Sequence, residues 1–237
     1  MTQYYFVGTS LPELKIGEEP EISFEAFDEL LRLNLTPSDY EKTKSLRLLF
    51  DLENLALFLQ GKPLSLYGGL QSVDFEEALL EGGHFPEWIE QFLQDFQSNQ
   101  ERLQAFPKLW AYFASEYIPK TKGFLRSYFE FDRKLRLIFS ALRAKKLKRN
   151  LAQEWIYEDP QDPLVQELLN GIPPDASDLV QLFQNNGEDP EKLREALLKI
   201  RFEKIEMERG LDEFSIDRLL AYMIQLHLVE VAQKDNL

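Results

Sequence analysis

The chain contains no cysteine. Disulfides, thiolate metal sites and cysteine nucleophiles are therefore excluded, and the composition fits a reducing compartment. Histidine is nearly as scarce, with His84 and His227 the two present. They form no His-x-x-x-His pair, so His84 reads as a loop residue and His227 as a partly buried helix residue rather than as ligands or bases. Glycine-rich phosphate loops are missing too. Gly8-Thr9-Ser10, Gly61-Lys62-Pro63 and Gly68-Gly69 lack the required spacing, and Thr9-Ser10 lacks a Gly-x-Ser-x-Gly context. No apolar run reaches the roughly 18–20 residues of a membrane span. The first residues have neither a basic n-region nor an apolar h-region, so no signal peptide is expected. Positive charge is short as well, with 27 Lys and Arg against 41 Asp and Glu and a net charge of -14. Phosphate contacts supply most nucleic-acid affinity, so nucleic acid is a poor partner. The expectation is a soluble protein that is not an enzyme, with no catalytic residues, cofactor, metal or small-molecule substrate.

What is present points to helices. Hydrophobic residues make up 44% and charged residues 29% of 237 residues, enough for a sizeable core. Ser23 precedes an amphipathic helix at 24–33. Thr36-Pro37-Ser38-Asp39 opens a long helix that Gly61 and Pro63 close. Further helices are predicted from Asp74 to the Gly82-Gly83 break, over 86–96, over 99–117 with a kink at Pro107, and over 121–149. Asp162-Pro163 begins a short helix ending at Gly171. Others run over 175–186, from Asp189-Pro190 to about 208, and over 215–233. The glutamates of 203–208 alternate with cations as on a solvated helix face. The aromatic residues, 13% of the chain, sit at helical spacing beside leucine, which favours core packing over base stacking. Only 3–7 is ambiguous, fitting a short strand or one helical turn. The fold class is all-α.

The helix at 40–62 stands out. Ten of the fourteen residues from Leu46 to Leu59 are apolar, while Arg47, Asp51 and Asn54 fall on one stripe at i, i+4 and i+7. Such a helix belongs inside a bundle. Two later segments look related to it, beginning at Phe131-Asp132-Arg133 and Ile216-Asp217-Arg218. Asp51, Asp132 and Asp217 are separated by 81 and 85 residues. Each places an aspartate near basic or amide groups, with Arg136 one turn from Asp132. Buried charge must be paired or face water. The chain is therefore expected to be one all-α domain of three related units, about 1–72, 73–157 and 158–237. Positive charge concentrates at 133–149, where Arg133, Lys134, Arg136, Arg143, Lys145, Lys146, Lys148 and Arg149 meet no acidic residue. This stretch reads either as a solvated helix end favoured by the dipole or as a docking surface for an acidic partner.

Asp51-Leu-Glu-Asn-Leu55, followed by Phe58-Leu-Gln-Gly-Lys62, resembles the "D-I-x-N-L … L-R-x-K" signature of the V-type ATPase stalk subunit, called C in prokaryotic complexes and d or AC39 in eukaryotic ones. The opening Gln3-Tyr-Tyr-Phe-Val-Gly-Thr-Ser-Leu-Pro12 and the segment Glu130-Phe-Asp-Arg-Lys-Leu-Arg136 to Leu142-Arg-Ala-Lys145 are similar to an uncharacterised bacterial family encoded among V-type ATPase genes. This resemblance implies a pseudo-threefold repeat of helical bundles forming a reduced funnel. It implies a non-catalytic coupling component of a V-type ATPase or ATP synthase, joining the D/F-like shaft to the membrane rotor ring that carries protons or sodium ions. The location implied is cytoplasmic, peripheral on the cytoplasmic face, with no direct membrane insertion. Asp51, Asn54, Leu55 and Lys62 match the signature, with Asp132, Arg143 and Lys145 next; the third copy lacks the Asn-Leu and Leu-Arg elements. Candidate partner-binding residues are Asp51, Asn54, Asp132, Arg133, Arg136, Arg143, Lys145, Lys146, Lys148, Arg149 and Asp217. Two alternatives stand beside this: a helical protein-protein adaptor or regulator unrelated to the ATPase, and a metal-dependent enzyme with an all-carboxylate site, which needs converging carboxylates with one or two histidines nearby, a pattern the sequence does not display.

Overall fold

The computed structural model describes residues 4–65, 67–70, 72–208 and 212–234. Among these residues the chain is all-helical, without strands. The helices are α1 (Tyr5–Ser10), α2 (Phe24–Asn34), α3 (Pro37–Leu59), α4 (Ser72–Leu80), α5 (Glu87–Asp95), α6 (Asn99–Ala105) and α7 (Pro107–Tyr117). Then follow α8 (Gly123–Lys146), α9 (Leu151–Glu154), α10 (Pro163–Asn170), a 3-10 turn (Pro174–Ala176), α11 (Ser177–Asn186), α12 (Pro190–Glu208) and α13 (Ile216–Lys234). No helix among the described residues is long and apolar enough to cross a membrane.

Local chemistry explains the boundaries. Ser23 Oγ accepts the Ala26 N–H and Thr36 Oγ1 the Asp39 N–H, with Pro37 in the first turn. Each cap satisfies a donor that a helix start leaves without a partner. The ambiguous opening is helical over Tyr5–Ser10, where the Thr9 and Ser10 hydroxyls donate back to carbonyls one turn earlier; Gln3 lies outside the described residues. Pro107 separates two helices rather than kinking one, and the first carries a Ser98–Glu101 capping box. The helix expected over 121–149 spans Gly123–Lys146. Just past its C-cap, Leu147, comes Lys148, whose φ of 54° lies in the left-handed region that usually calls for glycine. The short helix Leu151–Glu154, capped by Asn150, has no counterpart among the expected elements.

The chain forms two compact units, one of Met1–Trp110 with Gly210–Leu237 and the other of Ala111–Arg209. These bounds differ from the three units expected from the repeats. In the first unit, α3 packs on α13. α3 buries Leu46, Leu49, Phe50, Leu52 and Leu55, as its periodicity requires. α13 is enclosed more completely, with every residue from 219 to 229 buried. The start of the chain is tied to the approach to α13. Tyr4 N–H donates to Phe214 O at 2.7 Å, and a Cβ at Gly8 would press on Glu213 O and the Phe214 ring at 2.9 Å. In the second unit, α8 is the spine, and Leu137, Ile138, Ala141 and Leu142 pack with Trp155, Val165, Leu168 and Ala176.

Candidate functional site

The polar stripe of α3 is engaged throughout, with Asp51 and Asn54 buried and Arg47 half-buried. Arg47 pairs with Asp28 on α2 and lies over the Phe24 ring at 5.4 Å. Asp28 also pairs with Arg32 at 2.9 Å. One turn on, Asp51 accepts N–H groups from Gly69 and Leu70, the latter at 3.1 Å. A Cβ at Gly68 would collide with Asp51 Oδ1, so the backbone reaches this carboxylate only because residue 68 has no side chain. Burial pushes the Asp51 carboxyl up to about 6, against the opposing pull of the two N–H groups and Arg47. Asn54, fully buried, brackets Ser65. Its Nδ2 donates to Ser65 O at 2.8 Å and its Oδ1 accepts the Ser65 N–H at 2.7 Å.

His227 continues this network. Its Nε2 lies 3.0 Å from Glu53 Oε2, and its Nδ1 lies 3.4 Å from Ser65 Oγ. A carboxylate can only accept, so Nε2 is the donor to Glu53. The ring packs 4.4 Å from Phe50 and 4.7 Å from Tyr67. Tyr67 OH donates to Leu226 O at 3.1 Å, and burial holds the phenol far above its ordinary range. Serine, imidazole and carboxylate follow one another as in a hydrolase. Here, however, Ser65 Oγ also accepts the Tyr67 N–H at 3.3 Å and its backbone is held by Asn54. The arrangement is a clasp that fixes the loop after α3 to α13.

In the second unit the buried charge is paired with guanidinium groups. Asp132, 3% exposed, pairs with Arg136 one turn away and with Arg201 of α12. Arg201 Nε and Nη2 both reach Oδ1, at 3.1 and 3.0 Å. Arg133 bridges Glu158 at 2.7 Å and Asp162 at 2.8 Å. Burial alone would raise the Asp162 carboxyl, but Arg133 and the N–H groups of Leu164 and Val165 hold it below its ordinary value.

The basic stretch divides. Lys134 pairs with Asp175, Lys146 with Glu188 and Gly187 O, and Arg149 with Glu154. Arg143, Lys145 and Lys148 are exposed, and half-exposed Leu147 stands among them. The other candidates, Asp51, Asn54, Asp132, Arg133 and Arg136, lie in internal networks. Asp217 sits half-buried in the first turn of α13, where the helix dipole favours a carboxylate. Asp51 and Asp132 lie deep within their helices. The Asp51 and Asp132 partner sets are different in kind.

One grouping has no forerunner in the sequence pattern. Asp74 and Glu77 on α4 converge with His84 in the turn that follows, all three ligand atoms within 4.8 Å of one another. The i, i+3 spacing of the two carboxylates was legible. The return of His84 over that face depends on the Gly82-Gly83 turn, with φ of 73° and 93°, which no periodicity announces.

Three comparisons bear on kinship. An uncharacterised protein of Chlamydia muridarum is 29% identical over 234 residues, covering 93% of this chain and 88% of its own length. One of Chlamydia pneumoniae is 32% identical over 219 residues, covering 87% and 82%. One of Chlamydia trachomatis is 29% identical over 244 residues, covering 95% and 91%. No solved structure matches. Residues 1–234 match one family over almost the whole chain, and the protein belongs to that family, described as "Protein of unknown function (DUF2764)".

Proposed function

We propose that the chain is a non-catalytic coupling component of a V-type ATPase or ATP synthase, similar to the stalk component known as C or d, working at the cytoplasmic face between shaft and rotor ring. The observation that carries this reading is the separation of positive charge on α8. Five of the eight cations at 133–149 are paired within the second unit, whereas Arg143, Lys145 and Lys148 at the helix end are left exposed around Leu147. Exposed cations with an exposed apolar residue close by in sequence fit an acidic protein partner. Lys148 adds to this: it holds a lysine where glycine would be easier, at a conformational cost of order 1 kcal/mol.

The signature residues have a supporting role in this reading. Asp51 and Asn54 brace the loop after α3 from inside, and a component that transmits torque needs such rigidity. The test is co-purification. A tagged chain expressed with the ATPase subunits is expected to retain the shaft and ring proteins. The double variant Arg143→Glu/Lys148→Glu is expected to lose them while unfolding at the same temperature. A solitary monomer, or retention unaffected by the double variant, overturns the proposal. The second reading, a helical adaptor unrelated to the ATPase, draws on the different partner sets of Asp51 and Asp132. It gains if the tagged chain consistently brings down other proteins instead.

A further inference from the structure

We infer that Asp74, Glu77 and His84 form a binding site for one divalent transition-metal ion of the zinc class. Two carboxylates and an imidazole are a ligand set suited to such ions, and three protein ligands leave coordination positions open. Their ligand atoms lie within 4.8 Å of one another, and His84 Nε2 is 3.7 Å from Glu77 Oε2. Binding one ion at bond lengths of about 2.0–2.2 Å requires these three atoms to close in on a common centre.

The imidazole distinguishes this group from an ordinary acidic patch, and its position is fixed from outside the group. Glu90 of α5 takes no part in the ligand set, yet its Oε1 accepts three consecutive backbone N–H groups. These come from Gly83 at 2.9 Å, His84 at 3.1 Å and Phe85 at 2.9 Å. Phe85 in turn packs edge-on against Phe75 of α4 at 5.3 Å, and both rings are buried. The turn carrying His84 is thus held to α5 by Glu90 and to α4 by the ring pair. The histidine is presented over the face bearing Asp74 and Glu77 before any ion arrives. Preorganisation of this kind lowers the ordering cost of binding. An ion there would clamp the turn to α4 and leave open positions toward solvent. The site is independent of any role in the ATPase stalk.

The test is calorimetric titration of the full chain with zinc ions alone, repeated with magnesium ions. One zinc per chain is expected, with magnesium binding far more weakly because it does not favour imidazole. His84→Ala and Glu77→Gln are each expected to weaken zinc binding at least about 10-fold, and Glu90→Gln, a positioning change, by about 10-fold. All three positions are exposed or half-buried, and circular dichroism of the metal-free variants checks that they fold. No saturable zinc uptake by the unmodified chain overturns the inference. So does an unchanged affinity in His84→Ala, or magnesium binding as tightly as zinc.

Discussion

The two units solve the same problem in different ways. Each carries a nearly buried aspartate on its longest helix, Asp51 on α3 at 7% exposed and Asp132 on α8 at 3%. Asp51 is met by backbone N–H groups of a glycine-bearing loop, and its carboxyl is pushed up to about 6. Asp132 is met by two guanidinium groups, one from its own helix and one from α12. Neutral dipoles only partly offset desolvation of a carboxylate, whereas full opposite charges can offset it if geometry is good. The first unit therefore holds a carboxylate close to its protonation threshold. The second holds one that two guanidinium groups share.

The sharpest way to break this comparison is Asp132→Ala. It removes the buried carboxylate that Arg136 and Arg201 share, and a loss of about 3–5 kcal/mol is expected in urea unfolding of the full chain. An effect below about 1 kcal/mol would mean that the guanidinium groups reach water instead. Next comes Asp51 and its pH dependence. A carboxyl raised to about 6 in the folded chain binds its proton more tightly there than when unfolded. Its contribution is fully present below the ordinary carboxylate range and is lost as pH rises to about 6, on the order of 3 kcal/mol in all. Asp51→Asn should flatten that slope, while a slope unchanged by the substitution assigns it to other groups. Asn54→Ala removes both bonds to Ser65 and should cost about 2 kcal/mol. Hydrogen exchange should speed up at Ser65 and Tyr67 with α8 unaffected. The smallest effect is expected at the end of α8. Lys148→Gly relieves a left-handed lysine and should raise stability by about 0.5–1 kcal/mol, read as a higher unfolding temperature.

Much of the architecture was legible because helix punctuation is local. Thr36-Pro37, Asp162-Pro163 and Asp189-Pro190 mark helix starts through capping chemistry that depends on neighbours in sequence. The apolar density of 46–59 correctly marked a buried helix. What stayed hidden depends on partners distant in sequence. Arg201 reaches Asp132 from 69 residues away and His227 reaches Glu53 from 174 away. No stripe on a single helix foretells such meetings. The stripe of Arg47, Asp51 and Asn54 was visible, but whether it faced a partner or a loop was not. Gly68 and Asn54 decide that question by the room they leave and the backbone they bracket. Similarity among three aspartate-bearing segments likewise carried no information about their partners.

The enclosure of α13 has a consequence for the order of events during synthesis. The second unit is one continuous stretch of chain and has all its parts once residue 209 has emerged from the ribosome. The first unit has most of its length by then, lacking only the part from Gly210 onward, yet its central helix α3 still lacks the helix it packs against. Leucines of α3, and the clasp awaiting His227, stay exposed until residues 216–234 arrive. The part made first is therefore completed last. Stalled or shortened chains ending before α13 should present a folded second unit beside an unfinished, aggregation-prone first one.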